Sequence, residues 1–167
     1  MREDIQVLHN LLDEEQSDKA LDKIDEIEKN TGTFPYLLVM KGVCIQLADP
    51  DKNDYELDDA KRAFETALEI EGDYISALIE LGWFTSVIEG NANEAKKFFE
   101  QALSLAKSQL TEAVQSLAKC VDELEGKKNA IQLIDDVISS PMEMEKIAEL
   151  KKYIEESAIS YEDDTSL

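Results

Sequence analysis

The stretch AKRAFETALEI, residues 60 to 70, returns as AKKFFEQALSL at residues 95 to 105. Ala60, Lys61, Phe64, Glu65, Ala67 and Leu68 match Ala95, Lys96, Phe99, Glu100, Ala102 and Leu103 at an offset of 35 residues. Agreement that dense marks a repeat, and a repeat determines the architecture, because each unit buries its apolar face only against the next. The same step from Ala95 reaches Ala130 in NAIQLIDDVI, where Ile134, Val137 and Ile138 keep the spacing of Phe99, Ala102 and Leu103. Towards the N-terminus, KALDKIDEI sets Ala20, Ile24 and Ile27 at the same internal steps. Four units result.

Each of these segments follows a second amphipathic run: DIQVLHNLL, YLLVMKGVCIQLA, YISALIELGWFTSVI and EAVQSLAKCVDEL. Apolar residues recur there at steps of three and four, the period of a helix with one buried face. Two helices per unit follow. The breaks agree: Asp73 is placed to cap a helix start, Gly72 and Gly90 to close the preceding helices, and Asn91 or Asn93 to open the next. Pro35 and Pro141 sit where a first helical turn tolerates a missing N–H.

The 167 residues are 43% hydrophobic, with six glycines and three prolines, so one all-helical domain with a continuous core is expected. Its 38 acidic residues against 17 basic ones leave a formal net charge of −21, which repels phosphate backbones and anionic lipid. Nucleic acid and membrane surfaces are thereby excluded as partners, while basic proteins are favoured. The N-terminus MREDIQVLHNLLDEE turns acidic at once and shows no secretion signal, and no apolar run reaches membrane-spanning length. Cys44 and Cys120 lie far apart in apolar helical patterns without a CxxC, which reads as two buried thiols in a reducing cytoplasm.

Paired helices with a period near 34, a Gly in the first helix, and Ala, an aromatic and Ala in the second resemble the tetratricopeptide repeat. Leu78, Leu81 and Gly82 with Ala95, Phe99 and Ala102 carry the pattern, as do Leu38 and Gly42 with Ala60, Phe64 and Ala67. The outer units are degenerate: Leu8 and Ala118 replace the Gly, and Ile24 and Ile134 replace the aromatic. The resemblance implies a right-handed superhelix of antiparallel helix hairpins. Residues 142 to 157 read as a capping helix, which sets the domain at 1 to 157, and 158 to 167 as an acidic disordered tail.

It also implies a concave groove, lined by the first helices, that holds a peptide or helix of a partner protein. Mapped onto this chain, the groove falls on Tyr36, Val39, Met40 and Val43, on Ile79, Glu80 and Trp83, and on Gln115, Lys119 and Asp122. One branch of the family clamps a terminal carboxylate with Lys, Asn and Arg at such positions. Here Val39, Val43, Ile79 and Trp83 stand there instead, so apolar contact is the expected grip. The implied function is a non-enzymatic adaptor or dedicated chaperone. An acidic inhibitor that blocks a basic enzyme site is the alternative.

His9 is the sole histidine, and no GxGxxG, GxxxxGK or HExxH occurs, so no enzymatic constellation or cofactor is expected. Acid pairs such as Glu14 and Glu15, Asp58 and Asp59, or Asp135 and Asp136 read as solvated faces. DPDKND, residues 49 to 54, sets Asp49, Asp51 and Asn53 on alternate positions like a calcium loop. Counting from Asp49, however, the twelfth residue is Ala60, where such a loop needs a bidentate Glu. The stretch reads instead as a lengthened turn inserted in the second unit, with Asp54 a candidate cap for the helix that follows.

Overall fold

Amphipathic runs separated by short polar breaks form helices, and the computed structural model describes residues 2 to 139. Among the described residues the elements are α1 (Arg2–Asp13), α2 (Ser17–Thr31), α3 (Pro35–Leu47), α4 (Leu57–Ile70), α5 (Ile75–Val87), α6 (Ala92–Glu125) and α7 (Lys127–Ser139), with no strand. Two compact units arise, one ending at Gln109 and the other beginning at Leu110, and α6 runs through both. The expected capping helix, the acidic tail and Pro141 lie outside the described residues.

In the first unit α1 pairs with α2, α3 with α4, and α5 with the N-terminal part of α6. Leu8, Ile24, Leu37, Phe64 and Phe84 are buried together with the small residues Ala20, Ala60, Ala67 and Ala77. The small residues set the helix spacing. A Cβ on Gly42 would lie 2.6 Å from Phe64 Cζ, and one on Gly82 would lie 2.8 Å from Phe99 Cε1. The missing side chain at both positions lets the ring of the second helix press on the backbone of the first. In the first hairpin Leu8 and Ile24 fill the same level with two aliphatic chains.

Three of the seams between neighbouring helices also carry a lysine. Lys23 of α2 reaches Asp4 of α1 at 2.8 Å, Lys41 of α3 reaches Glu28 and Asp25 of α2 at 2.7 and 2.9 Å, and Lys61 of α4 reaches Glu89, just past α5, at 2.5 Å. Lys41 is the most enclosed of the three, and Tyr55 closes over it with its ring centroid 5.0 Å from Nζ. Desolvation lowers its pKa, but hydrogen bonds to Glu28, Asp25 and Tyr55 outweigh this and raise it above the ordinary 10.5. A raised lysine pKa contributes stability that is complete below about 10.5 and lost as pH climbs through the folded value. Lys41→Met is expected to cost about 1–3 kcal/mol at pH 7, because Glu28 and Asp25 lose their cationic partner and are left with the hydroxyl donors of Thr33 and Tyr55. Chemical denaturation at pH 7 and above about pH 11 checks this, the difference from wild type shrinking at the higher pH.

The connection between α3 and α4 takes nine residues where that between α5 and α6 takes four. The extra length is the insertion expected at DPDKND, and it folds back on α2. The Asp49 amide donates to Asp18 Oδ1 at 3.2 Å, Asn53 Nδ2 donates to the Asp49 carbonyl at 2.8 Å, and the Tyr55 hydroxyl donates to Asp25 at 2.8 Å. Asp49 Oδ1 accepts the Asp51 amide and its Oδ2 faces Lys52 at 2.9 Å, so both oxygens of the Asp49 carboxylate are already engaged. No cluster of three metal-binding side chains occurs among the described residues. Calorimetric titration with millimolar calcium is expected to give no heat.

Several helix ends differ from expectation. Glu56, not Asp54, caps α4, in a reciprocal box in which Asp59 accepts the Glu56 amide at 2.8 Å. Asp73 does not cap α5; the cap position is Tyr74, without a side-chain bond. Asn91 opens α6 as expected, its Oδ1 accepting the Glu94 amide at 3.2 Å, and Gly90 closes the preceding turn at φ +66°. Cys44 is buried, which pushes its thiol up to about 12, whereas Cys120 is exposed, contrary to the reading of two buried thiols.

The largest departure is α6 itself. The repeat predicts a turn between Leu105 and Glu112, yet the helix continues for 34 residues, about 51 Å at 1.5 Å per residue. From Glu94 to Glu125 there is no Gly, Pro or Asn to stop it. The break comes at Gly126, at φ +89°, whose amide donates to the Val121 and Asp122 carbonyls. In the second unit α7 then packs back on the end of α6, with Ala118 and Ala130 buried.

Candidate functional site

The first helices α3 and α5 lie side by side in the first unit and bring seven of the mapped groove residues onto two neighbouring elements. Burial separates them. Val39 is in the core, Tyr36, Met40 and Val43 are half-buried, and Ile79 and Trp83 are exposed. Trp83 is 56% exposed although its ring meets Phe99 edge-on at 5.6 Å. An aromatic held rigidly on one edge and open to water on the rest loses little freedom when a ligand covers it.

Tyr36 is tied to the N-terminal hairpin: its hydroxyl and His9 Nε2 share a hydrogen bond of 2.8 Å, and its ring stacks on Phe34 at 6.4 Å. Ile5, His9, Phe34 and Tyr36 line an open, largely apolar depression of about 410 Å³. Phe34 was not expected at the site, and His9 was expected only as a non-catalytic histidine, because neither sits on the repeat pattern. The lone histidine thus serves as an anchor for Tyr36.

Glu80 supplies the polar element. It is half-buried, and among the described residues no hydrogen bond or ion pair engages it; burial raises its carboxyl pKa above the ordinary value. Burial thus makes the charged carboxylate costlier than in water, a cost that a cation brought to it offsets. Gln115, Lys119 and Asp122 belong to the second unit and are exposed. There Ala118, Lys119 and Asp122 of α6 and Ala130, Ile131 and Ile134 of α7 border an open groove of about 330 Å³.

An all-α stack of helix hairpins closed by Gly–aromatic contacts is a tetratricopeptide-like helical repeat. The crystal structure of MamA, a tetratricopeptide-like protein, superposes with a TM-score of 0.52 over 84% of this chain and 78% of that one, at 16% identity. At that identity the likeness concerns the fold. No protein-family model matches the sequence, and no curated protein is significantly similar to it. No described helix is long and apolar enough to cross a membrane.

Proposed function

We infer that the protein is a non-enzymatic interaction module, an adaptor or dedicated chaperone, that takes a helix or extended peptide of a basic partner against α3 and α5. The observation that carries this reading is the pairing of exposed Ile79 and Trp83 with the unengaged, half-buried carboxyl of Glu80. An apolar side chain of the partner covers Trp83 and a lysine or arginine meets Glu80. The fold supports a protein partner, and the net charge of −21 favours a cationic one.

Trp83 is the sole tryptophan, so its fluorescence reports directly on the groove. Titration with a cationic amphipathic helical peptide is expected to shift its emission and saturate. Glu80→Gln should weaken binding about 5- to 20-fold, and Trp83→Ala, read by calorimetry, about 10- to 100-fold. The acidic surface supports a second reading, a stoichiometric inhibitor of a basic enzyme site. In that case the groove variants bind as wild type and affinity falls steeply with salt.

A further inference from the structure

The stacking surface of the third hairpin is open where that of the second is closed. Phe64 is fully buried and Leu68 half-buried beneath α5, whereas their repeat equivalents are half-buried Phe99 and Leu103, which is 56% exposed. Ser86, Ala95, Phe99 and Leu103 border an open, mostly apolar hollow of about 300 Å³ at this end of the first unit. The chain encodes a hairpin for that place, since the end of α6 and α7 continue the repeat with Ala118 and Ala130 as the small residues. α6 supplies the second helix of the third hairpin and continues without a break into the first helix of the fourth.

We propose that the hollow receives the hairpin formed by the end of α6 and α7 from a second copy of this chain, in a reciprocal exchange that gives a two-fold dimer. The contact continues the stacking interface already present between the second and third hairpins, and the charges at its edge match. There Lys61 bonds Glu89 across the seam at 2.5 Å. One repeat on, Lys61 becomes Lys96, and Glu89, seven residues past Gly82, becomes Glu125, seven past Ala118. Among the described residues Lys96 pairs with Glu100 of its own helix, at 3.6 Å. The exposed apolar side chains of the fourth hairpin, Leu117, Ile131 and Ile134 among them, provide the face that buries Leu103.

Sedimentation equilibrium of the full chain tests this, in about 0.3 M salt so that repulsion between the two acidic copies is screened. A concentration-dependent dimer is expected, weakened about a hundredfold by Leu103→Glu, which changes an exposed residue and leaves the helical circular dichroism intact. Lys96→Glu and Glu125→Lys should each weaken self-association severalfold. Mixed together, these two variants should pair with each other in preference to themselves, because both seams of the mixed dimer regain opposite charges. A monomer at every concentration overturns the proposal, as does a dimer indifferent to Leu103→Glu or a mixture showing no preference. None of these outcomes bears on peptide binding at Trp83.

Discussion

Phe64→Ala is expected to remove about 3–5 kcal/mol of unfolding free energy, the range for deleting a fully enclosed aromatic ring. Phe64 has no exposed surface and is packed on the Gly42 backbone, so its loss leaves a void that the surrounding helices close only in part. In a domain of this size the melting temperature should fall by about 10 °C or more. Phe99→Ala at the equivalent position should cost roughly half as much, because Phe99 borders an open hollow and water already reaches one side of the ring. Urea denaturation of the two variants compares them directly. Equal costs would mean that the third hairpin is as closed as the second.

Gly42→Ala should destabilise the protein by up to about 2 kcal/mol even though alanine is the better helix former. The propensity gain is about 1 kcal/mol, while forcing a methyl into the enclosed Phe64 ring costs about 1–3 kcal/mol, so overpacking wins. At Gly82 the balance differs. The Phe99 ring can yield towards the open hollow, and Gly82→Ala should fall within about 0.5 kcal/mol of wild type. Thermal melts of both variants check the contrast.

The hairpins were legible in the sequence because close helix contact admits only Gly or Ala, and those residues recur at fixed steps beside Phe64 and Phe99. The insertion at DPDKND was legible too, as a lengthened spacing from Gly42 to Ala60. Its folding back onto Asp18 and Asp25 was not, since those bonds join residues about thirty apart in sequence. The unbroken run of α6 was misread because the 35-residue period imposed a turn. The absence of Gly, Pro and Asn between Glu94 and Glu125 was the contrary local signal, and it prevails.

Of the candidate groove, the apolar character of Val39, Ile79 and Trp83 was evident from the helical pattern. Which of them meets water depends on the neighbouring helices: Val39 is enclosed and Trp83 is left open. Glu80 likewise had no special mark, because a carboxylate on a helix usually faces solvent. Its half-burial comes from the packing around α5. The exposure of Cys120 has the same origin, since residue type alone favours a buried thiol and only the packing of α6 turns it outward.

A double-mutant cycle joining Gly42→Ala with Phe64→Leu tests most directly whether the helices nest through this contact. Direct packing of the Phe64 ring on the residue-42 backbone predicts that the two changes are coupled by about 1–2 kcal/mol, the smaller leucine making room for the new methyl group. Strict additivity, within about 0.3 kcal/mol, would contradict it.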